Sequence, residues 1–150
     1  DVTVQAEILS LLRGLIASRG MALVIVTHDL GVVADICDTV AVMYAGQIVE
    51  TGAMATVLDQ PTHPYAFALK GADPHVPAGT AVPERLLSIE GNVPPPAEWV
   101  DSCRFAPRCP FASTACEVPS QLFLSPSGGL VRCVRAAELA ANASIEGGAR

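Results

Sequence analysis

Three features of these 150 residues predict an α/β fold: apolar residues at helical spacing near the start, a six-residue apolar run without alternation, and two apolar stretches joined by Ala-Gly. Val4, Ile8, Leu11, Leu12, Leu15 and Ile16 recur every three to four residues. That spacing lines one face of a helix over residues 3–19, and Gly20 stands where a left-handed C-cap is needed. The run Ala22 to Thr27 shows no polar-apolar alternation, so both its faces should be covered, as in an interior strand of a parallel sheet. A short helix over about 30–36 follows. Val40 to Tyr44 and Gln47 to Glu50, turning at Ala45-Gly46, predict a hairpin. Thr51-Gly52 should end it, and a short helix over 53–58 comes next. A buried parallel strand needs a partner on each side and helices on both faces, which these residues do not supply, so the predicted domain is incomplete. The sequence opens on Asp1, directly in the helical pattern, and an upstream part is expected.

Composition bounds the function. With 51% apolar and 16% charged residues the chain can build a core. A net charge of −6 and a single lysine, Lys70, leave no basic patch for phosphate backbones, so no nucleic-acid partner is expected. No apolar stretch has the length of a membrane span, and no secretory leader pattern opens the sequence, so a reducing compartment is expected. Residues 1–60 hold 7 acidic and 2 basic residues, whereas the remainder holds 8 and 7 and all 12 prolines. That shift places a boundary near Pro61.

Two groups of residues carry candidate chemistry. His28 lies at the carboxyl end of the predicted strand, where open α/β sheets bind ligands. A neutral imidazole there can donate one hydrogen bond to a phosphate oxygen or an attacking water. The plainer reading is a polar residue where a strand leaves the core, with Asp29 simply capping the next helix. Further on, Cys103, Cys109, Cys116 and Cys133 stand as C-x5-C-x6-C-x16-C in a loop-rich segment. Four thiolates so placed suit a soft metal; two disulfides or four free cysteines are the alternatives. Zinc sites pair their cysteines two to four residues apart, which neither short spacing matches, while iron–sulfur clusters accept more varied spacing. Arg104, Arg108, Arg132 and Arg135 flank the cysteines and either offset an anionic cluster or form an ordinary solvated face. Cys37, at the end of an apolar helix, reads as a small buried residue, His75 as loop, and Trp99 as a packing anchor.

The segments "DVTVQAEIL", "VIVTHDLGVVADICDTVAVMYAGQIVETG" and "PTHPYAFAL", in this order, closely resemble the ATPase subunits of ABC transporters, in the oligopeptide and dipeptide importer branch. The resemblance extends to about residue 135, and "SIEGNVPPP" resembles a further segment of the branch. It implies the C-terminal part of a P-loop (RecA-like) ABC nucleotide-binding domain in residues 1–60 and a linker in 61–80, with His63 in the linker motif. A small irregular cysteine-rich C-terminal extension in 81–135 and a flexible tail in 136–150 complete the implied layout. Asp1 matches the D-loop aspartate, which communicates across an ATPase dimer. His28 matches the switch histidine, which contacts the ATP γ-phosphate and the attacking water. The cysteine set is similar to one that binds a [4Fe-4S] cluster in the branch. Implied partners are a second ABC ATPase subunit, transmembrane permease subunits and, indirectly, an extracytoplasmic peptide-binding protein, at the cytoplasmic face of the membrane. Nickel or another small solute is the rival cargo, and a non-catalytic metal-binding or regulatory fragment the rival function.

The sequence also departs from the family. No G-x-x-x-x-G-K-[ST] loop, Q-loop, LSGGQ-type signature or Walker B strand occurs in these residues. Without the glycine-rich loop there is no backbone cradle for phosphates, and without its Ser or Thr no magnesium ligand. ATP and Mg2+ are therefore expected only in a longer parent, and these 150 residues alone are expected to be inactive.

Overall fold

The computed structural model describes residues 2–72 and 88–147. The chain divides into two compact units, residues 1–37 and 38–150.

The first unit holds helices α1 (Val2–Arg19) and α2 (Leu30–Ile36). Helix α1 ends as its sequence predicts: Gly20 takes φ +62° and its N–H donates to the Ile16 carbonyl at 2.9 Å. Two ties join the helices. Gln5 Nε2 donates to Asp29 Oδ2 at 3.1 Å, and Arg13 Nη2 donates to the Asp35 carbonyl at 2.9 Å while also pairing with its carboxylate. The tied positions advance in the same order along both helices, so α1 and α2 run side by side in the same direction. The intervening chain must travel back along α1, and residues 21–27 do so without forming a strand. This corrects the expected buried strand. A strand exists only where a neighbour accepts its backbone hydrogen bonds, and no described segment does so here. Val24 and Val26 are accordingly 90% and 96% exposed. The predicted apolar face of α1 is covered only in part: Leu12, Leu15 and Ile16 are half-buried, Val4, Ile8 and Leu11 are exposed, and the buried residue is Leu9. Cys37 caps α2, donating to the Val33 carbonyl at 3.0 Å, and is half-buried rather than buried.

The second unit is built on strands β1 (Thr39–Tyr44), β2 (Gln47–Ala53), β3 (Phe123–Leu124) and β4 (Leu130–Val131), in the order β1-β2-β4-β3, all antiparallel. The fold is thus mixed α/β, its antiparallel sheet extending the expected hairpin, whereas no parallel sheet forms among the described residues. The β1–β2 hairpin turns at Ala45 and Gly46, both with positive φ (45° and 76°), the two-residue geometry that matches strand twist. Val42 faces Glu50 and Met43 faces Ile48, leaving Val49 as an extra residue. This bulge turns two consecutive side chains, Val49 and Glu50, inward, and both are buried. Gly52 does not end the strand. Instead the turn at Gly129 packs against this stretch so closely that a Cβ on Gly129 would lie 2.1 Å from the Thr51 carbonyl oxygen.

Helix α3 (Met54–Asp59) follows the sheet, then α4 (Pro64–Ala72), which begins on a proline whose missing N–H is harmless in a first turn. Short 3₁₀ turns mark the segment that follows, and α5 (Ala136–Gly147) occupies most of the expected tail. One core combines Val42, Tyr44, Val49, Val57, Ala66 and Phe105. The division by packing falls after Cys37, whereas composition changes near Pro61: the hairpin shares its core and sheet with residues beyond 100. Among the described residues no helix is long and apolar enough to cross a membrane.

Candidate functional site

His28 stands on the loop that opens α2 and is exposed. The loop is ordered from both sides. Asp29 has extended backbone (φ −93°, ψ 106°), and its Oδ1 accepts the Val32 N–H at 3.1 Å, the N-cap its sequence position predicts. The Asp29 N–H donates to Thr27 Oγ1 at 3.0 Å, and Gln5 reaches Asp29 Oδ2 from α1. Asp1 lies outside the described residues, as does His75.

In the second unit the four cysteines come together. Cys103, Cys109, Cys116 and Cys133 line one cavity with His63, Phe105 and Arg135. Tight turns explain the short spacings: the N–H groups of Ala106, Cys109, Ala112 and Cys116 each donate three residues back, at 2.9–3.2 Å. Such turns coil the backbone enough to bring residues six or seven apart to one wall, and the Cys103 N–H closes the loop on the Cys116 carbonyl at 3.3 Å. All five cysteines are free thiols. Burial raises the thiols of Cys103 and Cys109 and pushes Cys133 up to about 11.

Neither the expected [4Fe-4S] cluster nor zinc has a formed site among the described residues. The donor chemistry suits a soft metal, but among the described residues no group of three or more His, Cys, Asp or Glu side chains is arranged to hold a metal ion. Nor do the arginines form a solvated face. Arg104 donates to the carbonyls of Ala45 (2.6 Å) and Val100 (2.8 Å), its guanidinium 4.6 Å from the Trp99 ring centre. Arg108 donates to the carbonyls of Ile89 and Glu90, and Arg132 to those of Ile48 and Ser120. These side chains staple an irregular segment to the hairpin and to itself. Arg135 alone of the four lines the cavity, and it pairs with Glu138 at 2.6 Å.

Two polar residues are buried that the sequence did not mark as such: Glu50, read only as the end of the hairpin, and His63, read only as part of the linker motif. Glu50, aimed inward by the bulge, accepts the N–H groups of Thr62 and His63, each at 2.8 Å, just before α4 begins. Burial raises its carboxyl despite these bonds. His63 Nδ1 accepts the Tyr65 N–H at 3.0 Å, and burial lowers its pKa to about 4, so the ring is neutral. The signal available was the unpaired N–H groups ahead of a proline-started helix, which need an acceptor.

Comparison with known proteins decides the family. Residues 49–116 match the C-terminal region of the oligopeptide/dipeptide transporter family. A Brucella abortus protein named as a peptide import ATP-binding protein is 42% identical over 133 residues, which cover 89% of this chain and 39% of that protein. The oligopeptide transport ATP-binding protein OppD of Haemophilus influenzae is 42% identical over 138 residues, 92% of this chain and 42% of its own length. A Brucella ovis peptide import ATP-binding protein is 44% identical over 146 residues, 94% of this chain and 43% of its own. The chain belongs with the C-terminal portion of the peptide-import ABC ATPases. It spans about two fifths of the length of the curated relatives it matches. Within this ABC ATPase portion, the family match runs from the bulged strand β2 through α4 to Cys116, and so includes Glu50, His63 and three of the four cavity cysteines.

Proposed function

We propose that these residues belong to the ATP-binding subunit that powers import of di- and oligopeptides, and that His28 contacts the γ-phosphate and attacking water once the rest of that subunit supplies ATP and Mg2+. What carries this reading is the similarity to peptide import ATP-binding proteins, together with the place of His28 on an ordered, exposed loop that opens a helix. Asp1 would communicate with a second ATPase subunit. The complex would work at the cytoplasmic face of a membrane, with permease subunits spanning it and an extracytoplasmic binding protein delivering peptide. Residues 1–60 would complete the nucleotide-binding domain, 61–80 link it onward, 81–135 form the peptide-importer extension and 136–150 trail from it.

In the complete subunit, His28→Ala should lower ATP turnover about 10²-fold or more, as loss of a positioned polar group in a transition state does, with ATP affinity nearly unchanged. Unchanged turnover, or equal loss of affinity and turnover, overturns the role of His28.

The four converging thiols support a finer proposal, that this cavity closes on a [4Fe-4S] cluster when iron and sulfide are supplied. Anaerobically purified protein should then contain iron and acid-labile sulfide in near-equal amounts. Zinc alone overturns the cluster, and four alkylatable thiols without metal overturn any metal site.

A further inference from the structure

We propose that Gln5 is a positioning residue for His28, acting through Asp29; the inference rests on the reading of His28 as the residue that faces the γ-phosphate. Asp29 uses its two carboxylate oxygens for different tasks. Oδ1 caps α2 through the Val32 N–H at 3.1 Å, while Oδ2 accepts from Gln5 Nε2 at 3.1 Å, across 24 residues of sequence. On the other side of His28, Thr27 Oγ1 holds the Asp29 N–H at 3.0 Å. The histidine backbone is therefore set between a cap that fixes where α2 starts and a side chain from α1 that fixes where the capping carboxylate sits. The cap holds one carboxylate oxygen, and the donor from the neighbouring helix holds the other. A ring that must meet a phosphate oxygen within a few tenths of an ångström depends on such added constraints.

Gln5 is not needed to hold the helices together, because Arg13 ties α1 to the other end of α2 through the Asp35 carbonyl at 2.9 Å and through its carboxylate. Changing Gln5 therefore loosens the histidine loop while α1 and α2 stay joined. A change of charge at position 5 is the sharpest probe. Gln5→Glu sets two carboxylates against each other in place of a hydrogen bond. Adding Asp29→Asn restores the bond with its direction reversed, the amide introduced at position 29 donating to the carboxylate introduced at position 5.

The test uses the complete ATPase subunit, with steady-state ATP turnover and the thermal midpoint measured for each variant. Gln5→Glu should lower kcat about tenfold with KM for ATP within about twofold, since a small misplacement of a positioned group costs rate rather than binding. Gln5→Met, which keeps the stem and cannot donate, should lower kcat in the same sense by less. The double variant should recover kcat to within about threefold, because the hydrogen bond is remade. In a His28→Ala background, Gln5→Glu should have no further effect. Wild-type turnover in both single variants overturns the inference, as does a loss that the double variant does not recover or one that adds fully to His28→Ala. If His28→Ala itself leaves turnover unchanged, the reading of His28 fails and this inference with it, an outcome distinct from failure of the Gln5–Asp29 tie. Should Gln5→Glu fold poorly by its thermal midpoint, Gln5→Met carries the same comparison.

Discussion

The two units invert the usual relation between sequence and burial. Residues 21–27, the most uniformly apolar stretch of the first unit, leave Val24 and Val26 almost wholly in solvent. The second unit holds all 12 prolines and long irregular stretches between its short elements, yet it fully buries Phe105, His63, Glu50 and Val131. The difference lies in partners. An apolar run with the pattern of an interior strand is buried only when strands flank it and layers cover it. An irregular segment can be buried without any ladder if other groups satisfy its backbone. Here arginines do that work: Arg104, Arg108 and Arg132 donate to carbonyls that no strand or helix pairs.

The largest effect should come from breaking the buried side of this contrast. Phe105 packs against Tyr44 (ring centres 5.2 Å apart, near edge-to-face), Tyr65 (5.4 Å) and His63 (6.0 Å). Phe105→Ala should cost about 3–5 kcal/mol, as large aromatic truncations in cores do. Trp99, the one tryptophan, lies in the second unit, so urea unfolding followed by its fluorescence reads this loss directly. A change below about 1 kcal/mol would mean that the second unit is not held by this core.

Acid should come next. His63 has a pKa of about 4 in the folded protein against an ordinary 6.5, lowered by burial. Between those values the unfolded chain binds a proton that the folded chain refuses, so its contribution is present above pH 6.5 and is lost as pH falls toward 4. The loss amounts to about 3 kcal/mol at most. Denaturation midpoints measured from pH 7 to 4 should fall, and His63→Asn should flatten that slope. An unchanged slope in the variant would assign acid sensitivity to other groups.

The staples should matter less. Arg132→Lys keeps the charge but loses the planar fork that serves Ile48 and Ser120 together, and should cost about 1–2 kcal/mol. A neutral result would show that backbone packing alone holds the segment. The smallest effect belongs to the first unit: Val26→Thr should shift the stability of this 150-residue chain by less than about 0.5 kcal/mol, since it touches solvent. A loss as large as that of Phe105→Ala would show that residues 21–27 are covered after all.

Much was legible in the sequence because local chemistry decides it. Helix α1 and its Gly20 cap, the Asp29 cap of α2, and the Ala45-Gly46 hairpin follow from side-chain spacing and from φ preferences that neighbours along the chain already dictate. The family resemblance rested on the same kind of local strings. What only the tertiary structure decided involves residues far apart. The strand expected at 22–27 fails because its hydrogen-bond partners are not among the described residues, which no reading of those six residues could reveal. Gly52 looked like a strand terminator and is instead part of the surface that admits the Gly129 turn. The four cysteines could be counted, but their convergence on one wall and the upward push that burial gives the Cys103, Cys109 and Cys133 thiols depend on turns and packing. Glu50 reads as the end of a hairpin and His63 as part of a linker turn; only the bulge that turns Glu50 inward, and the helix start 12 residues later that needs its carboxylate, make a buried pair of them. Sequence settles what a residue can do with its neighbours along the chain; burial, charge state and long-range hydrogen bonding are set by which distant groups arrive beside it.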